Sequence, residues 1–221
     1  MKWLYLALTF AVGYLVGSVN LSLVVTKYIG KIDIYKVGSG NAGGTNVARS
    51  MGLGWGISVI AAEILKSMVF GLVAKYLFPG DVFALDADGG TVGMCLAGVI
   101  LVAGCLLGNF FPCFAHFKGG KGVSVMGGLL IVLDYRIFLA VLATFLIVLL
   151  LFRMVSLASL ICGIVIPVTV GFVYYGQQGW GWMTGLIALM CAGVWIRHAG
   201  NIQRILKGTE RKISLGKKKK Q

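Results

Sequence analysis

Long apolar runs separated by short polar stretches set the organisation of this chain. No charge interrupts Trp3 to Thr26, a run long enough to cross a bilayer. A second run, from about Leu53 to Phe78, carries Glu63 and Lys66 within it, ends at Pro79-Gly80-Asp81 and is followed by an acidic loop to Asp88. A third extends from about Gly90 to Phe111. Between Arg153 and Arg197 there is no charge, and Gly176-Gln177-Gln178-Gly179 divides that run into two spans. Asp134-Tyr135-Arg136 splits residues 122 to 152 into a short piece and a longer one. Lys2 before an apolar run resembles a signal peptide, but the run is too long and no small-x-small cleavage site follows cleanly.

The positive-inside rule arbitrates the ambiguous middle. With the split, the chain has about seven spans and its N-terminus lies outside. The basic clusters Lys27/Lys31/Lys36/Arg49, Lys118/Lys121, Arg153 and Arg197 to Lys220 then share one side, leaving only Lys2, Lys75 and Arg136 opposite. A single long span would turn Arg153 and the basic tail outward. The expected fold is all-α: a polytopic membrane helical bundle of about seven transmembrane helices with Gly-rich cytoplasmic loops. It forms one domain, residues 1–221, ending in a basic cytoplasmic tail, 213–221. The short fourth piece is expected to be thin, tilted or partly re-entrant.

Composition agrees with that reading. The 221 residues are 58% hydrophobic and only 12% charged, with a mean hydropathy of +0.92, more apolar surface than a soluble domain of this size can hide. Twenty Lys and Arg against seven acids give +13, which points to anionic partners such as lipid headgroups or phosphorylated substrates. Nucleic acid is not expected, because no basic stripe is interleaved with aromatics in a soluble segment. Cys95, Cys105, Cys113, Cys162 and Cys191 lie in apolar surroundings without a C-x-x-C pair and read as small buried hydrophobes. Glu63 and Lys66, three apart, share a helix face and read as a structural pair turned toward the bundle.

Three polar loops fall on the cytoplasmic side: KVGSGNAGGTNVAR (Lys36 to Arg49), FKGGKGVS (Phe117 to Ser124) and RHAGNIQRILKGTERK (Arg197 to Lys212). They share glycines, small hydroxyl or amide side chains and a fixed cation. That recipe suits phosphate. Glycines such as Gly38, Gly40, Gly43, Gly119, Gly120 and Gly122 let backbone N–H groups turn toward one anion. A helix beginning after such a loop adds its positive end. Arg49 supplies a planar fork and Lys121 a compact charge, while Ser39, Asn41, Thr45 and Asn46 add neutral donors. Taken singly, each loop also reads as a turn, a close helix contact or a positive-inside cluster; three together favour an anion site.

Gly38, Gly40 and Gly43 formally match the dinucleotide-binding G-x-G-x-x-G, but a membrane span precedes and follows them, where that motif needs a soluble βαβ unit. A Walker loop also fails, since Ala115 and Gly122 occupy positions that need Gly and Ser or Thr. Catalytic equipment is sparse: no pair of loop carboxylates, no G-x-S-x-G elbow, and no acid five residues after either His116 or His198. His116 reads as a bystander. His198, beside Arg197 and three residues before Asn201, is placed to orient or deprotonate a hydroxyl. A site rich in anion donors and poor in bases fits an already reactive substrate such as an acyl phosphate, where positioning and charge stabilisation carry the rate.

GSGNAGGTNVAR, FPCFAHFKGGKGV and RHAGNIQRILKGTE together resemble the three signature stretches of the bacterial acyl-phosphate:glycerol-3-phosphate acyltransferase family, and GYLVGS and SLAS extend the likeness over nearly the whole chain. The resemblance implies a seven-span inner-membrane enzyme that makes lysophosphatidic acid from glycerol 3-phosphate and a fatty acyl phosphate. It implies no metal or other cofactor, and a soluble partner that makes the acyl phosphate. Carried over by motif, Ser39, Arg49 and Lys121 would hold phosphate, His198 and Asn201 would bind and orient glycerol 3-phosphate, and Ser156 or Ser159 would join them. The chain departs from the family pattern at Asn109, where His is usual, at Gly44 for Ala, at Gly200 for Glu and at Glu63 for Asp. Two other readings remain open on sequence alone: a transporter or channel for an organic phosphate or other anion, and a scaffold anchored by its basic tail. The first would be marked by an inverted repeat, and none is found.

Overall fold

The computed structural model describes residues 2–77, 91–177 and 179–213. The acidic loop ending at Asp88 and most of the basic tail lie outside the described residues. Those described form an all-helical bundle: α1 (Lys2–Ser18), α2 (Leu21–Val24) running into a π-helical turn (Val25–Ile29), α3 (Gly44–Met51), α4 (Leu53–Leu77), α5 (Thr91–Phe110), α6 (Val123–Leu133), α7 (Tyr135–Phe152), α8 (Val155–Val173), α9 (Trp180–Arg197) and α10 (Ala199–Leu206). Cys113–Ala115 adds a 3₁₀ turn between α5 and α6.

Six stretches are long and apolar enough to cross a membrane: Leu4–Ile29, Leu53–Leu77, Leu96–Ala115, Tyr135–Phe152, Val155–Val173 and Trp180–Arg197. By length the described residues therefore hold six spans, not the expected seven. The difference is α6. Its 11 residues cover roughly 16 Å at 1.5 Å per residue, about half of a hydrocarbon core. The split at Asp134 is real, since its side chain caps α7 by accepting from Arg136 N–H. The C-terminal end of α6 also reaches the end of the bundle away from α3. Its last turn meets the far ends of two neighbours: Lys75 Nζ, in the last turn of α4, donates to Val132 O at 2.9 Å, and the Tyr174 hydroxyl, just past α8, donates to Leu133 O at 3.1 Å.

The first apolar run is also not one helix. Asn20 interrupts it, capping α2 by accepting from Leu23 N–H through its side chain. A short amide side chain that bonds nearby backbone competes with the helical ladder, so the break forms at that residue.

Two glycine pairs set the closest helix contact. Gly13 and Gly17 on α1 face Gly104 and Gly108 on α5; a Cβ at Gly13 would lie 2.0 Å from Leu101 O, and one at Gly17 2.0 Å from Cys105 O. Backbones approach this closely in membranes only where Cβ is missing. The core is centred on α6, where Val125, Leu129, Leu130 and Leu133 pack in one cluster with Val99 and Val102 of α5 and Met183 and Ile187 of α9, all nearly inaccessible. Phe172 and Trp182, 80% and 81% exposed, face outward as lipid-facing side chains do.

Gly17→Val should force α1 and α5 apart. Thermal unfolding in detergent should show a loss of at least about 2 kcal/mol, as for an overpacked core, whereas Gly181→Val, where a Cβ meets nothing, should cost much less.

Candidate active site

The sequence places its helix starts and polar loops so that they meet at one end of the bundle, around a cavity of about 270 Å³. Three helices begin on its wall, α3 with Gly44 and Thr45, α6 with Val123 and Ser124, and α8 with Val155 and Ser156. None of the three N-termini is capped by a side chain, so their first N–H groups and dipole ends remain turned toward whatever fills the space. Arg49, Lys121, Arg204 and Arg211 also line it, against one carboxylate, Glu210.

Of the residues singled out from sequence, Ser39, Asn41, Gly43, Thr45, Asn46, Arg49, Lys121, Ser156, Ser159, His198 and Asn201 all line this cavity. Gly38, Gly40, Gly119, Gly120 and Gly122 do not; they shape the loops behind it. Gly38, at φ +59, sits where a Cβ would meet Asn46 Oδ1 at 2.1 Å. A Cβ at Gly119 would lie 2.0 Å from Asn109 O, so the second loop packs against the end of α5 through missing side chains. Asn46 lines the wall but spends its amide inside its own loop: Oδ1 accepts from Ser39 N–H at 2.7 Å, and Nδ2 donates to Ile34 O and Val37 O. It shapes the loop. His116 is exposed and lies outside the cavity lining.

Lys121 reaches Asn201 Oδ1 across the cavity, joining the second loop to the third. Burial, with Arg204, Arg49 and Arg197 nearby, brings the Lys121 ammonium down to about 8 despite the opposing pull of Glu210. His198 is 3% exposed, and burial with the Lys121 charge depresses its pKa to about 4, so it is neutral at physiological pH. Its Nδ1 lies 2.8 Å from Val194 O. A carbonyl can only accept, so Nδ1 carries the hydrogen and Nε2 keeps a lone pair. This histidine can therefore accept a hydrogen bond, but it is a weak base.

Sequence reasoning missed several residues. Glu210 Oε1 accepts from the Ser156 hydroxyl at 2.8 Å and from Asn201 Nδ2 at 2.7 Å, while Oε2 takes Arg204 Nε at 2.8 Å. Burial works to raise its pKa, but those donors outweigh it and keep the carboxylate charged. Arg211 donates to Gly38 O, and Ile213 N–H to Arg153 O at 2.7 Å, so the segment after α10 straps the third loop to the first. Arg197 clamps the second loop through Gly119 O and Gly120 O. Asn109 holds it from below, accepting from Gly122 N–H at 3.1 Å. The signal for Glu210 was a lone acid within a basic stretch, and for Asn109 a polar residue ending an apolar run.

A second, apolar pocket of about 140 Å³ adjoins the first and shares Ile60, Val123, Ser124, Phe145 and Ser159 with it. It continues between α4, α6, α7 and α8 past Ile64, Leu142, Val141 and Phe138 to Ile166. The combined space has an anion-binding end and a greasy end. Among the described residues, no group of three or more His, Cys, Asp or Glu side chains could hold a metal ion.

Comparison with known proteins agrees with this geometry. A family described as glycerol-3-phosphate acyltransferase matches residues 7–208. The chain is 37% identical to a glycerol-3-phosphate acyltransferase of Ralstonia pickettii, over 94% of this chain and 92% of that one. It is 36% identical to one of Bacillus subtilis, over 94% and 97%. Its fold is similar to the crystal structure of an integral membrane glycerol 3-phosphate acyltransferase in its glycerol 3-phosphate form, with TM-score 0.81, 28% identity, and coverage of 95% of this chain and 96% of that one. The lysophosphatidic acid form of the same kind of enzyme matches with TM-score 0.78, 28% identity and 95% coverage of each chain.

Binding of inorganic phosphate, followed by calorimetry, should expose the Lys121 titration. Below pH 8 the ammonium is protonated and ready for the anion; above it, binding must take up a proton. Affinity should hold up to about pH 8 and then fall by up to about tenfold per unit. Lys121→Arg, which stays charged, should remove that decline, and no inflection between pH 5 and 7 should trace to His198.

Proposed function

The chain belongs to the glycerol-3-phosphate acyltransferase family, and from that membership we propose that it uses an acyl phosphate as donor, working at the cytoplasmic face of a bacterial inner membrane. It is an integral membrane enzyme that acylates glycerol 3-phosphate at the start of phospholipid synthesis. The sn-1 hydroxyl attacks the acyl carbonyl, a carbon–oxygen ester bond forms, and the acyl–phosphate bond breaks. The products are lysophosphatidic acid and inorganic phosphate, and the hydroxyl proton ends on the departing phosphate. A donor carrying its own leaving group suits a site with one charged carboxylate and a neutral, weakly basic histidine.

The observation that carries the donor assignment is the continuity of the two pockets. Phosphate groups belong among Arg49, Lys121, Arg204 and the three open helix starts, while the fatty tail lies along Phe145, Leu142 and Ile64. Ser39, Arg49 and Lys121 act as phosphate ligands, with Gly44 and Thr45 presenting backbone N–H groups at the start of α3. His198, Asn201 and Ser156 bind and orient the acceptor, and a direct transfer needs no covalent enzyme intermediate. The glycines beside these residues give the loops their shape. Family membership does not favour the anion-transporter alternative.

Sidedness follows from charge. The cavity end of the bundle carries Lys27, Lys31, Lys36, Lys118 and Arg153 besides the lining cations, whereas Lys75 and Arg136 mark the other end, so the positive-inside rule puts the cavity in the cytoplasm and the N-terminus outside. In this arrangement α6 is a seventh, half-length pass. A soluble enzyme that makes the acyl phosphate supplies the donor.

Purified protein given labelled glycerol 3-phosphate should form a labelled lipid with acyl phosphate and not with acyl-CoA; product from acyl-CoA alone would overturn the donor assignment. Arg49→Ala and Lys121→Ala should each lower kcat/KM by roughly 100-fold or more, the scale of losing a charged transition-state contact, while remaining folded. In intact cells, an impermeant thiol reagent should fail to label a cysteine introduced at Ser39 in a background lacking native cysteines, and labelling from outside would reverse the topology.

A further inference from the structure

We propose that the buried Glu63–Lys66 pair is a positioning device for the glycerol 3-phosphate site, acting through the break in the first span; this rests on the function proposed above. The two side chains lie one turn apart on α4, with Lys66 Nζ 2.8 Å from Glu63 Oε2 and side chains only 11% and 6% exposed. A pair that merely joined helices would need no other partner. Each of these has one, and both partners are at the break. Glu63 Oε1 accepts from Leu21 N–H at 2.7 Å, and Lys66 Nζ donates to Val19 O at 2.6 Å.

Those two backbone groups flank Asn20, the residue that interrupts the helix. Inside a bundle, backbone groups released from the ladder must find protein partners, and the acid and the base supply one each. The break is thereby held in one geometry, and Asn20, 3% exposed, is aimed by it. Its Nδ2 donates to Ala42 O at 3.3 Å. Ala42 belongs to the first glycine loop, immediately before Gly43, the residue that precedes α3 on the cavity wall. The same carbonyl also meets the second loop, where a Cβ at Gly120 would lie 2.7 Å from it. Polar contacts therefore lead from the ion pair through Asn20 to the backbone beside Gly43, and the same carbonyl packs closely on Gly120, the residue before Lys121. Intramembrane charges carry function by default; here that function is to fix where two phosphate loops sit relative to each other.

Removing one member alone would strand the other charge in the bundle and cost folding. The test therefore replaces both by apolar residues of similar length, Glu63→Met with Lys66→Met, and separately makes Asn20→Ala. Glycerol 3-phosphate binding to the purified proteins is measured by calorimetry, with thermal unfolding alongside. The double variant should bind about tenfold more weakly, as misplaced loops do, and Asn20→Ala should lose a similar factor. Adding Asn20→Ala to the double variant should cost little more, because all three changes cut one path. Native affinity in the double variant, or losses that multiply, would overturn the proposal and leave the pair as helix packing. If the double variant does not fold, Asn20→Ala decides alone: a tenfold loss supports the path and unchanged affinity ends it. The readout needs no acyl donor, so failure of the acyl-phosphate assay would leave this result standing. A native protein that bound no glycerol 3-phosphate would instead sink the functional reading itself.

Discussion

Mutual repulsion among cations clustered round one cavity is the constraint on which this structure depends. Arg49, Lys121, Arg204 and Arg211 face one cavity with a single carboxylate between them, and three uncapped helix starts add partial positive charge. Such a cluster would push itself apart on a flexible scaffold. It persists because its members are spread over α3, the second loop, α10 and the segment after it, and because Glu210 ties Ser156, Asn201 and Arg204 together. Burial is the larger cause of the lowered Lys121 pKa, and the neighbouring Arg204, Arg49 and Arg197 add to it.

Glycine connects the packing of the helices to the shape of this site. Along α1 and α5 the missing Cβ atoms let two backbones touch, which fixes the ends of both helices. Asn20, at the break after α1, and Asn109, near the end of α5, project from those ends into the glycine loops, where they hold Ala42 O and Gly122 N–H. Loop conformation is therefore inherited from helix packing within two turns of it. A rigid mounting of this kind is what a positioning mechanism requires.

Much of this was legible in the sequence, and the reasons differ by element. Apolar run length located the spans because bilayer thickness is a single constraint that each run meets alone. The positive-inside pattern brought three distant loops to one end, and nine of the residues singled out in them do line one cavity. Local reading stopped where contacts are long-range. Asn46 looks like a substrate donor by residue type, yet its amide is spent on Ile34, Val37 and Ser39 of its own loop. The clamp of Arg197 on Gly119 and Gly120 joins residues 77 and 78 positions apart, and no local period encodes it. Length alone gives six spans and leaves α6 out for a related reason: α6 is buried within the bundle, so its length is set by its neighbours rather than by the bilayer.

The brevity of α6 has an energetic consequence. Ile60, two turns into α4, lies level with Val123 at the cavity wall, so the floor is sunk roughly 10 Å below the start of α4 at 1.5 Å per residue. If the aqueous reactant stayed at the headgroup plane, the fatty one would have to be hauled out of the hydrocarbon to meet it. Each methylene exposed that way costs about 0.8 kcal/mol. By bringing the aqueous reactant down instead, the recess spares the fatty one that climb, and the half-length helix becomes a device for lowering the water line.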